Sequence, residues 1–274
     1  MSQKPSLVFV PGAWHRPEIW SLVTPAIAAR GYRCVAVALP STSGNAGAGF
    51  GDDVAAVQDA IRAETTQGRD VVLVVHSYGG HVGNSAVRGF ARNPHDGGPR
   101  PSASSAHVVG IAMVATGFTA TGTSFLSGLG GKPPPQWRAD AETGLATIAA
   151  DARDMMYHDL GADEGARWVG RLATQTLRSL AEGGEHAYAG WRDVPCWYLA
   201  TTQDRALAPA AQRLFVEAAR GAGARVTVRE VASGHSPMLS RPGETVEFVV
   251  EAAVDFVGQD STEYYPLTVR CQLN

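Results

Sequence analysis

A chain of 274 residues, 45% hydrophobic and 18% charged, has an ordinary globular balance and enough apolar surface to fill the core of one sizeable domain. Its formal net charge of −3 supplies no basic footprint, which excludes electrostatic capture by nucleic acid or by an anionic membrane. The first apolar run, residues 7–10, ends at Pro11 and Gly12. That is too short for a signal peptide or for the roughly 20 apolar residues of a membrane span, so a soluble cytoplasmic protein is expected.

In chain order, short apolar runs alternate with amphipathic segments. Strands are expected at 7–10, 33–39, 71–76, 107–114, 196–200 and 225–230, all rich in Val, Leu and Ile with little alternation. Helices are expected at 18–30, 52–67, 79–92, 209–221 and 244–256. Apolar strands without alternation are buried on both faces, so the rhythm predicts an α/β fold with a mostly parallel sheet flanked by helices. Residues 93–106 are polar and rich in Pro, Gly and Ser, and are expected to form an exposed, mobile loop. Residues from about 116 to 191 are too long for a simple connection. They open with a Gly/Ser/Pro-rich portion and continue with helical patterns at 139–157 and 163–182, which predicts a helical cap inserted between sheet strands. One domain thus spans 1–257, followed by a tail, 258–274, without period or assigned function.

Three scattered cysteines, Cys34, Cys196 and Cys271, are an odd set, and buried thiols are expected rather than disulfides. No C-x-x-C or H-E-x-x-H spacing marks a metal site. The segment Gly47-Ala48-Gly49-Phe50-Gly51 does not match the G-x-G-x-x-G that cradles a dinucleotide.

The sharpest signal is the apolar strand 71–76 running straight into His76-Ser77-Tyr78-Gly79-Gly80, with a helical pattern after it. A strand–turn–helix of this kind holds a serine hydroxyl above the sheet edge. Val75 stands where the first glycine of G-x-S-x-G is expected, while Gly79 supplies the second. An acid, Asp204, follows a late strand, and a loop histidine, His235, follows the strand after it. The order Ser77, Asp204, His235 is that of the nucleophile-elbow hydrolases rather than of chymotrypsin or subtilisin. In this arrangement Ser77 attacks after His235 takes its proton, and Asp204 orients the imidazole. Backbone amides of Tyr78 and Ala13 are the expected oxyanion donors.

The stretches Phe9–His15 (F-V-P-G-A-W-H), His76–Gly80 (H-S-Y-G-G) and Ser233–Pro242 (S-G-H-S-P-M-L-S-R-P) resemble the α/β-hydrolase superfamily over residues 6 to about 257. More narrowly they resemble the branch of plant hydroxynitrile lyases, methyl-ester esterases and their microbial relatives. Met156-Tyr157-His158-Asp159 and the Ala-Leu-Ala-Pro run near Asp204 are similar to that branch too. The resemblance implies the α/β-hydrolase fold, a small-molecule site between cap and sheet, no cofactor, and carboxylic-ester hydrolysis. It also implies lyases that use the same three residues as a proton relay, aided by a cap lysine; here the cap has only Lys132.

Trp14, His15, Tyr78 and Met238 are expected near the substrate, with Phe118, Phe125, Trp137 and Tyr157 as an apolar lining from the cap. His81 is expected to pack behind the elbow. The leading reading is a serine hydrolase acting on an ester, thioester or lactone of a small, fairly apolar molecule. The rivals are a lyase on the same residues and a non-catalytic small-molecule binding protein, and both a monomer and a homodimer remain open.

Overall fold

The computed structural model describes residues 3–102, 105–149 and 151–263. In chain order the elements are β1 (Ser6–Val10), α1 (Thr24–Ala28), β2 (Cys34–Ala36), α2 (Phe50–Thr65), β3 (Val71–His76), α3 (Tyr78–Ala86) and β4 (Val108–Val114). The cap then supplies α4 (Phe125–Gly128), β5 (Trp137–Asp140), β6 (Leu145–Ile148), α5 (Ala152–Tyr157), α6 (Ala162–Val169), β7 (Gln175–Thr176) and α7 (Leu177–Ala181). The chain returns to the body with β8 (Cys196–Thr201), α8 (Pro209–Gly221), β9 (Val226–Val231), α9 (Pro237–Ser240) and α10 (Pro242–Glu263).

Six parallel strands form the central sheet in the order β2-β1-β3-β4-β8-β9, flanked by helices as in the α/β-hydrolase fold. Every residue of β1, β3, β4 and β8 is buried, which is why their sequences lack alternation. The two edge strands differ. β2 covers only three of the seven residues expected and β9 is largely half-exposed, because each has a neighbour on one side alone. From β1 the chain winds outward to β2 and then crosses to β3 on the other side of β1. That reversal opens a crevice between the carboxyl ends of β1 and β3, where open α/β sheets bind ligands.

The cap departs from the all-helical expectation. Residues 137–148 form an antiparallel hairpin, and β7 adds a third strand, so only α5 remains of the helix expected at 139–157. The cause is local: the Asp140 carboxylate accepts the amides of Glu142 and Thr143, closing a turn that ends at Gly144. Asp140-Ala-Glu-Thr-Gly144 is a turn sequence, and it outweighs the apolar spacing on either side. The helix expected at 163–182 is likewise split into α6 and α7 by β7. At the other end, α10 runs through Gly258 to Glu263, so the first residues of the expected tail are helical. Residues 264–274, with Cys271, lie outside the described residues. Cys196 is buried and Cys34 half-buried, and burial lifts their thiols to about 12 and about 11. Within the Pro/Gly/Ser-rich stretch, His95 is held where its amide and ring both meet Asp193, whose carboxylate also accepts from Tyr188. No helix among the described residues is long and apolar enough to cross a membrane.

His107 ties the start of β4 to α10. Its ring lies 3.1 Å from Asp260 Oδ1 and 3.3 Å from Asp70 Oδ1. Burial pulls the imidazolium down, but the two carboxylates outweigh it and hold the pKa up at about 9. A raised folded-state pKa contributes stability that is complete below the unfolded value of 6.5 and is lost as pH climbs through about 9. The wild type should therefore melt a few degrees above His107→Gln at pH 6, about 2–4 °C for each kcal/mol, and the gap should close by about pH 10. A gap that is constant with pH in thermal melts would refute it.

Candidate active site

Three non-glycine residues among those described adopt left-handed backbone: Trp14 (φ 62°), Ser77 (φ 51°) and Ala115 (φ 45°). They sit just past the carboxyl ends of β1, β3 and β4, and all three line one cavity. Such backbone costs about 1–3 kcal/mol per residue and persists only where the surroundings enforce it. Its concentration at one crevice marks a built site.

The elbow at Ser77 is held by its neighbours. Thr116 Oγ1 donates to the Ser77 carbonyl at 2.6 Å, and the Gly80 amide donates to the same oxygen at 2.8 Å. α3 begins so close to β1 that a Cβ on Gly79 would fall 2.4 Å from the Pro11 carbonyl oxygen. That backbone cannot yield, so glycine is required there. Val75 has its own explanation. A Cβ on Gly83 would lie 2.4 Å from Val75 Cγ1, so the space an elbow glycine usually leaves is filled by valine and vacated one turn along α3.

Asp204 is buried at the end of β8. Its Oδ1 accepts the amides of Ala206 and Leu207, both at 2.8 Å. Its Oδ2 accepts from Thr201 Oγ1 (2.8 Å), Gln212 Nε2 (3.1 Å) and His235 Nδ1 (2.8 Å). Burial alone would raise this carboxyl; the adjacent His235 and these donors outweigh it and hold Asp204 below the usual carboxylate range. Arg205 pairs with Asp154 of the cap instead. Because Nδ1 of His235 donates to Asp204, its Nε2 is left as the basic nitrogen of the neutral ring. The His235 backbone is fixed from behind: His76 Nε2 donates to its carbonyl at 2.8 Å, and burial keeps His76 neutral with a pKa far below normal.

The loop after β1 carries Ala13, Trp14 and His15; Trp14 lines the cavity, and the side chains of Ala13 and His15 are buried beside it. Neither the Ala13 nor the Tyr78 amide has a hydrogen-bond partner among the described residues. His15 Nδ1 donates to the Ala13 carbonyl at 2.7 Å, and burial holds the ring down at a pKa of about 4. A neutral ring that donates from Nδ1 accepts at Nε2, so the Tyr157 hydroxyl, 2.6 Å away, donates to it.

The cavity encloses about 370 Å³. Ser77 and His235 line it, as do four residues expected from the sequence: Trp14, Phe118, Phe125 and Trp137. Trp14 meets Trp137 edge-on and Phe125 stacks on Trp137, so the wall joins body and cap. Four other expected pocket residues are not in the lining. His15, Tyr78, Tyr157 and Met238 are buried behind it, because their polar or apolar ends find partners within the protein. Tyr78 in particular turns its hydroxyl to Asp53, 2.7 Å away, leaving only its amide for the site. His81, expected behind the elbow, lines the cavity and packs against Phe50 and Phe125, and burial holds its pKa down at about 4. Met155, Met156, Leu207 and Phe215 add to the apolar surface, with Leu129 and Pro134 of the cap. The two methionines adjoin the Tyr157 motif and Leu207 adjoins Asp204, a proximity that could have marked them; Phe215 on α8 carries no sequence signal. Lys132 is exposed and outside the lining.

A family model described as the alpha/beta hydrolase family matches residues 7–248. A relative from Aspergillus novofumigatus, "Alpha/beta hydrolase nvfD", is 30% identical over 255 residues, covering 91% of this chain and 97% of the relative. The chain belongs to the α/β-hydrolase family, and with it to the hydrolase class of enzymes. Among solved structures, a pyrethroid hydrolase from Sphingobium faniae superposes with a TM-score of 0.67 at 18% identity, covering 91% of this chain and 97% of that one. Tomato methylketone synthase I, in complex with 2-tridecanone, gives a TM-score of 0.73 at 16% identity, covering 93% and 100%. At those identities the likeness is one of fold.

Proposed function

We propose that the chain is a serine hydrolase that cleaves an ester, thioester or lactone of a small, fairly apolar, neutral molecule. The observation that carries the reading is the meeting of strained Ser77 and of His235, itself bound to buried Asp204, on one apolar cavity. His235 Nε2 takes the proton of the Ser77 hydroxyl as Oγ attacks the substrate carbonyl. The oxyanion that forms is met by the Ala13 and Tyr78 amides. Collapse of the tetrahedral adduct breaks the bond to the leaving alcohol, thiol or lactone oxygen, which receives the proton from His235. Water then gives a proton to His235 and attacks the acyl-enzyme, and the same proton returns to Ser77 as the acid leaves. Asp204 stabilises the imidazolium in both halves.

The substrate class follows from the walls. Among the titratable lining groups, His81 is held neutral by burial and Arg205 is matched by Asp154, so a charged substrate gains no partner there. The lyase reading loses its cap lysine, since Lys132 stands outside the cavity.

The direct test is incubation with a small fluorophosphonate followed by intact-mass measurement. Wild type should gain one phosphonyl adduct and Ser77→Ala none; an unlabelled wild type would sink the reading. A panel of p-nitrophenyl esters of increasing acyl length should then show preference for neutral, apolar acids over charged ones.

A further inference from the structure

We infer that Gln175 of the cap, together with buried Asp53 behind it, forms a positioning relay that aims the two oxyanion-binding amides. This rests on the hydrolase reading above.

The peptide between Ala13 and Trp14 is gripped at both ends. Its carbonyl accepts from His15 Nδ1 at 2.7 Å, and its amide, that of Trp14, donates to Gln175 Oε1 at 3.2 Å. The preceding peptide is held as well, since the Gly12 carbonyl accepts the His15 amide at 3.2 Å. In a trans peptide the carbonyl and the amide point to opposite sides, so this grip turns the Ala13 N–H away from the loop. Trp14, a bulky residue, is kept at φ 62° by further cap contacts. Its carbonyl accepts the Ala173 amide at 2.8 Å and its indole donates to the Ala146 carbonyl at 3.0 Å. The cap therefore sets the conformation of the oxyanion loop.

Gln175 can serve only in one orientation, and Asp53 enforces it. Gln175 Nε2 donates to Ser41 Oγ (2.7 Å) and Ser179 Oγ (2.6 Å), leaving Oε1 to accept from Trp14. Ser41 Oγ in turn donates to Asp53 Oδ2 at 2.5 Å, and the Ser41 amide donates to Oδ1 at 2.9 Å. Burial lifts the Asp53 carboxyl above the usual range, but three donors converge on it, the Ser41 amide and hydroxyl and the Tyr78 hydroxyl; with its proton given to Asp53, Ser41 Oγ can only receive from Gln175. A flipped Gln175 would face the Trp14 N–H with its own NH₂. The same Asp53 Oδ2 accepts the Tyr78 hydroxyl at 2.7 Å, anchoring the side chain of the residue that supplies the second amide. Asp53, Ser41, Gln175 and Tyr78 are all buried, so the relay is shielded from water. Ser179 Oγ donates to the Thr176 carbonyl at 2.9 Å and so also receives from Gln175; the buried carboxylate thus acts on one donor residue directly and on the other through the cap, jointly with Ser179.

The test compares wild type, Gln175→Met and Ser41→Ala on p-nitrophenyl butyrate. It also measures binding of an aryl trifluoromethyl ketone, which forms a hemiketal oxyanion on an activated serine, against the matching methyl ketone. Gln175→Met should lower kcat about tenfold to a hundredfold with KM within about twofold, a fraction of the loss from deleting an oxyanion donor. Affinity for the trifluoromethyl ketone should fall by the same factor while methyl ketone binding holds. Ser41→Ala, which keeps the Trp14 contact, should show the same pattern at about threefold, and serves if Gln175→Met folds poorly. Unchanged kcat in both variants, or equal loss of both ketones with a raised KM, would overturn the relay and leave Gln175 a packing residue. A wild type that neither turns over the ester nor favours the trifluoromethyl ketone would instead overturn the hydrolase reading.

Discussion

Ser77→Ala is expected to lower kcat for ester hydrolysis by about 10⁴-fold or more, the loss typical when the nucleophile of a cooperating set is removed. Substrate binding should change little, because the cavity walls are supplied by other side chains. Residual turnover should no longer respond to fluorophosphonate. A companion variant separates chemistry from strain. Ser77 holds a left-handed backbone at φ 51°, which glycine adopts without penalty. Ser77→Gly should therefore be as inactive as Ser77→Ala yet melt higher than it, by the part of about 1–3 kcal/mol that the turn stores. Equal melting of the two variants would show that the turn is not strained; retained turnover in either would remove Ser77 from the reaction.

Asp204→Asn should cost about 10⁴-fold in kcat with the site's geometry nearly intact. The reason lies in proton direction. Asp204 Oδ2 accepts from His235 Nδ1, which leaves Nε2 free to take a proton. An asparagine amide turned toward the ring donates instead, so the imidazole presents the wrong tautomer to Ser77. Stability carries an independent signature. The folded-state pKa of Asp204 lies below its ordinary 3.8, so its ionised form contributes stability in full above about pH 4 and loses it as pH falls through the folded value. The melting gap between wild type and Asp204→Asn should shrink as pH falls below 4. A kcat within about tenfold of wild type would show that Asp204 does not orient the base.

Much of this was legible in the primary structure because the informative signals were local. β3 begins and ends where its apolar run does, and the residues after it form the strand–turn–helix that His76-Ser77-Tyr78-Gly79-Gly80 implies. Asp204 and His235 could be picked out because each follows a strand of the central sheet, and the structure brings their side chains within 2.8 Å. What escaped was decided by contacts distant in sequence. Nothing near Tyr78 announces that its hydroxyl belongs to Asp53, 25 positions back. Gln175 is a polar residue in a two-residue strand, and its partners Trp14 and Ser41 come from two other loops. The cap hairpin is hidden for another reason: the apolar spacing of its flanks is helical, and only the turn chemistry of Asp140 to Gly144 breaks it.

The exchange of bulk between Val75 and Gly83 bears on how such elbows change over time. The two positions share one parcel of room, and either may hold the side chain so long as the other does not. A lineage with glycine at 75 can acquire valine there only after position 83 has been reduced, and can enlarge 83 again only after 75 reverts. The order of substitutions is thereby constrained although neither residue touches a substrate. A signature written only around the serine, with glycine demanded two places before it, overlooks every lineage that took this path.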